Sequence, residues 1–199
     1  MVCLACLRWG VGPVCPDCRS RLLTPPDRSL PGGLLVRSAW QHSGPARVLV
    51  HRLKYQGIEA AAEVMGRAMA PLLAGRPAVL VPIPRLRLRA AGFGIDPGPA
   101  LAEVIGDLCR FRVANVLVPG WFGAGRARLS RNRRIPPMFS LDAQPRAPVV
   151  LVDDVVTTGG TVASAASLLP SVVMAVTATA APGVASVEGS GSEARPTDL

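Results

Sequence analysis

Short apolar runs alternate along the chain with segments whose apolar residues recur at helical spacing. The apolar runs predict four strands, at residues 78–81, 113–118, 147–152 and 172–179. Helical spacing predicts three helices, at residues 59–73, 99–108 and 161–169. In the first helix, one apolar stripe is expected to contain Ala60, Val64, Ala68 and Leu72. Strands separated by helices predict an α/β domain with a mainly parallel sheet flanked by helices.

Composition divides the 199 residues into three parts. Hydrophobic residues make up 49% of the chain, which excludes a wholly disordered protein. Residues 1–33 hold a cysteine-rich head and, from residue 24, a linker or wide turn rich in proline and glycine. Residues 34–182 carry the α/β pattern. Residues 183–199 contain Ser, Gly and Glu, and we expect them to form a disordered tail.

An uncharged run from Val155 to Val187 is long enough to cross a bilayer. Glycines, prolines and hydroxyl residues interrupt it, so we interpret it as strand end, loop, helix and buried strand and expect no membrane insertion. Near the N-terminus, Cys3, Cys6 and Arg8 interrupt the only early apolar stretch, so no secretory signal is expected. We therefore predict a cytoplasmic protein.

The chain carries 22 Lys and Arg residues against 13 Asp and Glu, a formal charge of +9. Part of the excess is local, at Arg85, Arg87 and Arg89 and in five arginines between Arg126 and Arg134. Such clusters fit a site for a phosphorylated ligand, a nucleic-acid contact or a solvated surface. For the 126–134 cluster we favour, in this order, a solvated loop, a lid over a phosphorylated ligand and a contact with single-stranded DNA.

The most informative motif runs from Val149 to Thr161 and begins with a predicted strand. Asp153 and Asp154 follow at the carboxyl end of that strand, where α/β sheets place ligands. The next loop consists of hydroxyl residues and glycines, Thr157, Thr158, Gly159, Gly160 and Thr161. Its backbone N–H groups and hydroxyls suit a phosphate, whereas carboxylates suit sugar hydroxyls. The motif therefore predicts a site for a ribose that carries a 5-phosphate.

Two C-x-x-C pairs, Cys3 with Cys6 and Cys15 with Cys18, predict a Zn(II) site with four thiolates. Disulfides and a redox pair are the alternatives, but the lack of a secretory signal argues against disulfides. Four ligands leave no open coordination position, so the zinc is expected to be structural. Cys109 lies alone in a predicted helix, and we interpret it as a packed small hydrophobic residue.

Three other residues carry weaker signals. His42 and His51 lack metal-ligand spacing and belong to no recognisable triad, so we interpret both as ordinary surface or core histidines. Lys54 is the only lysine, and its neighbours Leu53 and Tyr55 favour a packing role.

At all thirteen positions, residues 149–161 resemble the phosphoribosyl pyrophosphate (PRPP) motif of type I phosphoribosyltransferases. Together with the cysteine head, Leu53-Lys54-Tyr55 and Val81-Pro82-Ile83-Pro84, the chain resembles the ComF family, known from natural competence, over nearly its whole length. It departs from that family at Ala91-Gly92-Phe93-Gly94, where Arg-Gly-Phe-Asn is expected. The resemblance implies a type I phosphoribosyltransferase-like fold with a small N-terminal zinc knuckle.

The resemblance also implies roles for site residues. Asp153 and Asp154 would be the catalytic carboxylates that hold the ribose hydroxyls, residues 157–161 would hold the 5-phosphate, and Arg85 would pair with pyrophosphate. For Arg85, a solvated surface arginine fits the sequence equally well. Mg(II) would accompany PRPP, and ribose 5-phosphate would pass to an unidentified acceptor.

The alternative function is a non-enzymatic PRPP-binding protein. It would act in DNA uptake, with single-stranded DNA or a protein of the competence machinery as its partner, or it would serve as a nucleotide-sensing partner. Either function is compatible with an oligomer.

Overall fold

The structure is a computed structural model that describes residues 1–73, 78–85, 95–120 and 138–182. Four features of the sequence lie outside these ranges: the Arg126 to Arg134 cluster, Arg87 and Arg89, the Ala91 to Gly94 segment and the predicted tail from residue 183. Their predictions stay predictions.

The described residues form eight strands and five α-helices. The strands are β1 Arg28–Leu30, β2 Leu34–Gln41, β3 Val79–Pro82, β4 Arg112–Val113, β5 Leu117–Pro119, β6 Phe139–Leu141, β7 Val149–Val156 and β8 Val172–Ala180. The helices are α1 Pro16–Arg19, α2 Gly44–Gln56, α3 Glu59–Met69, α4 Pro97–Cys109 and α5 Gly160–Ala166, and a 3-10 turn at Ala70–Leu73 extends α3.

Six strands form one sheet in the order β1-β2-β8-β7-β3-β4. Only β1 pairs antiparallel to its neighbour, and the other four pairings are parallel. Strands β5 and β6 form a separate antiparallel pair. The predicted α/β fold with a mainly parallel sheet flanked by helices is confirmed.

Successive residues of β7 point to opposite faces of the sheet, and both faces are buried. Val150 and Val152 belong to a core that also holds buried side chains of α2, α3, α4 and the cysteine head. Val149 and Leu151 belong to a second core, which contains Val162 of α5 and residues of β5 and β6. The continuous apolar run in the sequence is thus explained by a central strand that is covered on both sides.

Several predicted boundaries were wrong. Residues 113–118 do not form one strand, because β4 and β5 belong to different sheets. The region from residue 24 to 33, predicted as a linker or wide turn, contains the strand β1, which pairs with β2 at the edge of the sheet, and a turn at residues 31–33. In α3 the expected stripe at Ala60, Val64 and Ala68 is exposed or half-buried, and the buried face lies one residue further on. That face consists of Ala61, Ala62, Met65, Gly66 and Met69.

The uncharged run was interpreted correctly as far as the structure describes it. It contains the end of β7, a loop at 157–159, helix α5 and strand β8. Within the described ranges, no helix has the length and apolar character needed to cross a membrane.

Candidate functional site

A cavity of about 540 Å³ opens where β3 and β7 end. It brings together five of the predicted site residues, Arg85, Asp153, Asp154, Thr157 and Thr161. Thr158, Gly159 and Gly160 are not among its lining residues. The two predicted segments are far apart in sequence, and the parallel pairing of β3 with β7 places their carboxyl ends side by side.

Helix α2 forms a second wall of this cavity, which the sequence analysis did not predict. Its contribution comes from residues of one helical face, Arg47, Val50, His51, Lys54 and Tyr55. The imidazole of His51 and the ring of Tyr55, one turn apart, have centroids separated by 4.9 Å. In the sequence, this face of the helix could have been recognised from the four-residue spacing of positions 47, 51 and 55 and of positions 50 and 54.

Lys54 forms an ion pair with one of the two aspartates. Its Nζ lies 2.8 Å from Oδ2 of Asp154, and the exposed fractions of the two side chains are 22% and 8%. Lys54 therefore has more than the packing role that its apolar neighbours suggested. The pair joins residues that are 100 positions apart, so nothing in the local sequence could reveal it.

Asp153 differs from Asp154 in its surroundings. Its Oδ1 accepts a hydrogen bond of 2.8 Å from the backbone N–H of Asp154. Burial, and next the neighbouring carboxylate of Asp154, raise the pKa of Asp153 well above its usual value. Within the acidic pair, Lys54 therefore compensates the charge of Asp154, whereas the surroundings of Asp153 disfavour its charged form.

Arg85 is held by residues on both sides of it. Its backbone N–H donates to Oδ2 of Asp96 over 2.9 Å, and its Nη2 donates to the carbonyl oxygen of Lys54 over 2.7 Å. Burial raises the pKa of Asp96, and the hydrogen bond from the backbone N–H of Arg85, which favours the carboxylate, only partly offsets this rise. Gly98 permits this arrangement, since a Cβ there would come within 2.2 Å of the carbonyl oxygen of Ile83. Helix α4 can therefore start directly against the segment that carries Arg85.

His42 reaches the acidic pair through a buried hydroxyl. Its Nδ1 lies 2.8 Å from Oγ1 of Thr179, and that hydroxyl donates to the carbonyl oxygen of Asp154 over 3.3 Å. A hydroxyl has one proton, so both contacts are hydrogen bonds only if Nδ1 of His42 carries a proton and donates it to Thr179. Burial, and next the charge of Arg47, lower the pKa of His42. Together these contacts favour a neutral imidazole whose Nε2 is an acceptor.

The loop at residues 157–161 is supported from the edge of the sheet. The guanidinium of Arg28, a buried residue of β1, donates to the carbonyl oxygens of Thr157 and Ala181. Among the residues that the structure covers, no backbone carbonyl accepts a hydrogen bond from the N–H groups of residues 157–160. The protein thus holds this loop through its carbonyl oxygens rather than through its N–H groups.

The four cysteines of the head come together as predicted. Their Sγ atoms all lie within 4.8 Å of one another, and Sγ of Cys6 is 3.7 Å from Sγ of Cys15. Four thiolates at about 2.3 Å from a tetrahedral ion would have their sulfurs about 3.8 Å apart. The cluster therefore fits a single metal ion bound by four sulfurs.

The surroundings of Cys3 and Cys18 shift the pKa values of these two thiols in opposite directions. Burial disfavours the thiolate of Cys3, but N–H groups, including those of Cys15 and Ala5 at 3.3 and 3.4 Å, outweigh it and lower its pKa to about 6. Burial, followed by contacts with Cys15 and Cys6, raises the pKa of Cys18 to about 12. A bound cation would offset the burial of such closely spaced sulfurs. Cys109, in contrast, lies on α4, outside the cluster.

No model of a known protein family matches the chain, and neither does any curated protein. Among solved structures, the chain is similar to UMP synthase of Leishmania donovani, with 17% identity and a TM-score of 0.37. The similarity covers 66% of this chain and 23% of that one, so this chain spans about a quarter of the length of that protein.

Proposed function

We propose that the cavity binds PRPP, or another ribose 5-phosphate compound, and that the chain is a phosphoribosyltransferase-like protein of the ComF type. The observation that carries this proposal is the meeting of two separately predicted segments at one cavity. Asp153, Asp154, Thr157 and Thr161 come from β7 and the residues after it, whereas Arg85 follows β3. One wall thus offers acceptors for sugar hydroxyls, and the other offers a cation for an anionic group.

Each part of the ligand has a partner of matching chemistry. Carboxylate oxygens of the acidic pair accept hydrogen bonds from the ribose 2- and 3-hydroxyls. The loop at 157–161 offers N–H groups and threonine hydroxyls to the 5-phosphate. Arg85 is anchored by its backbone N–H on Asp96, and its guanidinium is a cation of the kind that pairs with pyrophosphate oxygens.

In a transfer reaction, the bond between C1 of the ribose and the pyrophosphate oxygen would break as an acceptor attacks C1. The side chains of this cavity would position the sugar and stabilise charge, and none of them needs to act as a nucleophile. Carboxylate oxygens at the cavity are ligands of the type that Mg(II) prefers, and Mg(II) bound with PRPP would neutralise the leaving pyrophosphate.

The test combines binding and turnover. Titration calorimetry with PRPP should show binding that Asp154→Asn weakens about 10-fold to 150-fold, since a hydrogen bond to a charged group contributes about 1.5–3 kcal/mol. Asp107→Asn, on the exposed side of α4, is the matched control and should leave the affinity unchanged. Equal affinities in all three proteins would contradict the proposed site.

Release of pyrophosphate with Mg(II) and a panel of nucleobases and amines then separates the two functions. Turnover with any acceptor supports a transferase. PRPP binding without turnover supports the non-enzymatic alternative, a protein that senses nucleotides or acts in DNA uptake.

We further infer that Zn(II) occupies the four-cysteine cluster in a structural role. Support comes from the sulfur spacing and from the four-thiolate donor set, which leaves no coordination position open. Cys3, Cys15 and Cys18 are buried in the same core as Leu49 and Val50 of α2. The proposed zinc would therefore stabilise the packing beside the helix that forms one wall of the cavity.

A further inference from the structure

Lys54 contacts both halves of the cavity at once. Its ammonium group pairs with Asp154 at the end of β7, and its carbonyl oxygen accepts the guanidinium of Arg85 after β3. It lies in the last turn of α2, which ends at Gly57 in the left-handed conformation (φ 65°). Lys54 is thus placed where the sugar and pyrophosphate ends of the proposed ligand would meet.

The ion pair competes with the proposed role of Asp154. In the structure, Oδ2 of Asp154 faces the ammonium group at 2.8 Å, whereas sugar recognition requires the same carboxylate to accept hydroxyl groups. The side chain of Asp154 is only 8% exposed, so its oxygens have little access to other partners. A ribose that binds here must share or replace the contact with Lys54.

The charges that line the cavity indicate which group could replace Asp154 as the partner of Lys54. The cavity is lined by three basic side chains, Arg47, Lys54 and Arg85, and by three acidic ones, Asp96, Asp153 and Asp154. The surroundings of Asp153 and Asp96 raise the pKa of both groups and so disfavour their charged forms. The basic side chains are therefore the counterions for a ligand whose phosphate and pyrophosphate add several negative charges. Lysine has three rotatable N–H donors on a flexible four-carbon stem, so its ammonium group can turn from a carboxylate to a nearby anion.

We propose that Lys54 exchanges partners when the ligand binds: it leaves Asp154 to the ribose hydroxyls and binds the pyrophosphate beside Arg85. This inference rests on the proposed function and adds selectivity to it. A sugar phosphate without pyrophosphate must compete with Lys54 for Asp154 and offers no new partner in exchange. The site therefore selects a ribose 5-phosphate that carries a pyrophosphate over ribose 5-phosphate itself.

The first test measures both ligands with Lys54→Met, which keeps most of the apolar stem and removes the charge. Affinity for PRPP should fall about 10-fold to 150-fold, the effect expected for a lost charge-assisted hydrogen bond. Affinity for ribose 5-phosphate should stay the same or rise, because Asp154 no longer has a competitor. Lys54→Arg should retain most of the preference for PRPP. Arg67→Met removes the same charge at an exposed site on α3 and should change neither affinity.

A parallel loss of affinity for both ligands in Lys54→Met would overturn the exchange, because it would show that the ion pair only maintains the shape of the site. No change for either ligand would overturn it as well. If wild-type protein fails to bind PRPP at all, the proposed function fails first, and the two failures are thereby distinguished.

A second test follows Lys54 directly in the full chain and remains informative if Lys54→Met does not fold. Lys54 is the only lysine, so reductive methylation with ¹³C-formaldehyde gives one lysine signal besides that of the N-terminus, and the charge is retained. Without ligand, Asp154→Asn should shift this signal. At saturating PRPP the signal should be the same in wild type and Asp154→Asn, because Lys54 has left residue 154. A signal that still depends on residue 154 at saturation would overturn the exchange.

Discussion

Gly159 lies against Leu30: a Cβ on the glycine would come within 2.3 Å of Cδ2 of that leucine. Gly159 also adopts φ 80°, in the left-handed region that side chains with a Cβ disfavour. The antiparallel edge strand β1, which carries Leu30, therefore restricts the residue at the turn of the proposed phosphate loop. Arg28 of the same strand holds the loop from its carbonyl side.

Substitution of the two adjacent glycines should separate folding from binding. Gly159→Ala should lower the free energy of unfolding by about 2–4 kcal/mol, from left-handed backbone strain and overpacking against Leu30. At Gly160 the nearest atom to an added Cβ is 3.8 Å away, and alanine favours the helix that begins there. Gly160→Ala should therefore leave stability equal or raise it by up to about 1 kcal/mol, as measured by urea unfolding.

Ligand affinity provides the second half of this comparison. Gly160→Val should abolish binding of ribose 5-phosphate, because a branched side chain would block the approach of the phosphate to the backbone. Full affinity in a folded Gly160→Val protein would place the phosphate elsewhere.

Loss of a single cluster cysteine should remove the metal and destabilise more than the head. Cys3→Ser and Cys18→Ser are expected to abolish zinc in protein purified under reducing conditions, as measured by elemental analysis. Because these cysteines are buried in the core that contains α2 and α3, the main unfolding transition should also shift to lower urea concentration. Cys109→Ser is the matched control and should retain one zinc per chain. Wild-type protein without zinc would contradict the proposed metal site.

The raised pKa of Asp153 predicts how stability depends on pH. The folded protein retains a proton that the unfolded chain releases near its ordinary value of 3.8, so this contribution to stability is full below that value. It is lost as the pH rises from there through the pKa of the folded state. Asp153→Asn should therefore raise the free energy of unfolding at pH 7 relative to wild type, with a difference that diminishes towards pH 4.

Urea unfolding between pH 4 and pH 8 measures this difference. Asp107→Asn removes an exposed carboxylate on α4 and is measured over the same pH range as the control for the loss of a carboxylate as such. The same slope in Asp153→Asn and in wild type would show that the burial of Asp153 does not govern this part of the curve.

The sequence predicted those parts of the site that depend on local pattern. The segment from Val149 to Thr161 contains a strand, the acidic pair and the loop in one continuous stretch. The four cysteines of the proposed metal site also lie close together in the sequence. Helix α2 was missed because apolar and basic residues mix along it, and β1 was missed because three residues beside prolines and glycines resemble a turn. Both elements acquire their roles from tertiary contacts, Lys54 with Asp154 and Leu30 with Gly159. Such contacts are fixed by strand order, which no local pattern specifies.

The contacts of His42 predict one tautomer for this imidazole. If Thr179 donates its only hydroxyl proton to the carbonyl of Asp154, then Nδ1 of His42 must carry the proton and Nε2 must be unprotonated. The chain has two histidines, so two-bond ¹⁵N–¹H spectra can be assigned with the single variant His51→Gln. At pH 7.5, His42 should show the Nδ1–H pattern, and its titration midpoint should lie below 6.5, because burial lowers its pKa. Thr179→Val removes the acceptor and should abolish the tautomer preference, whereas Thr179→Ser should retain it. An Nε2–H tautomer in wild-type protein would mean that the hydroxyl of Thr179 donates to His42 instead and that its contact with Asp154 is not a hydrogen bond.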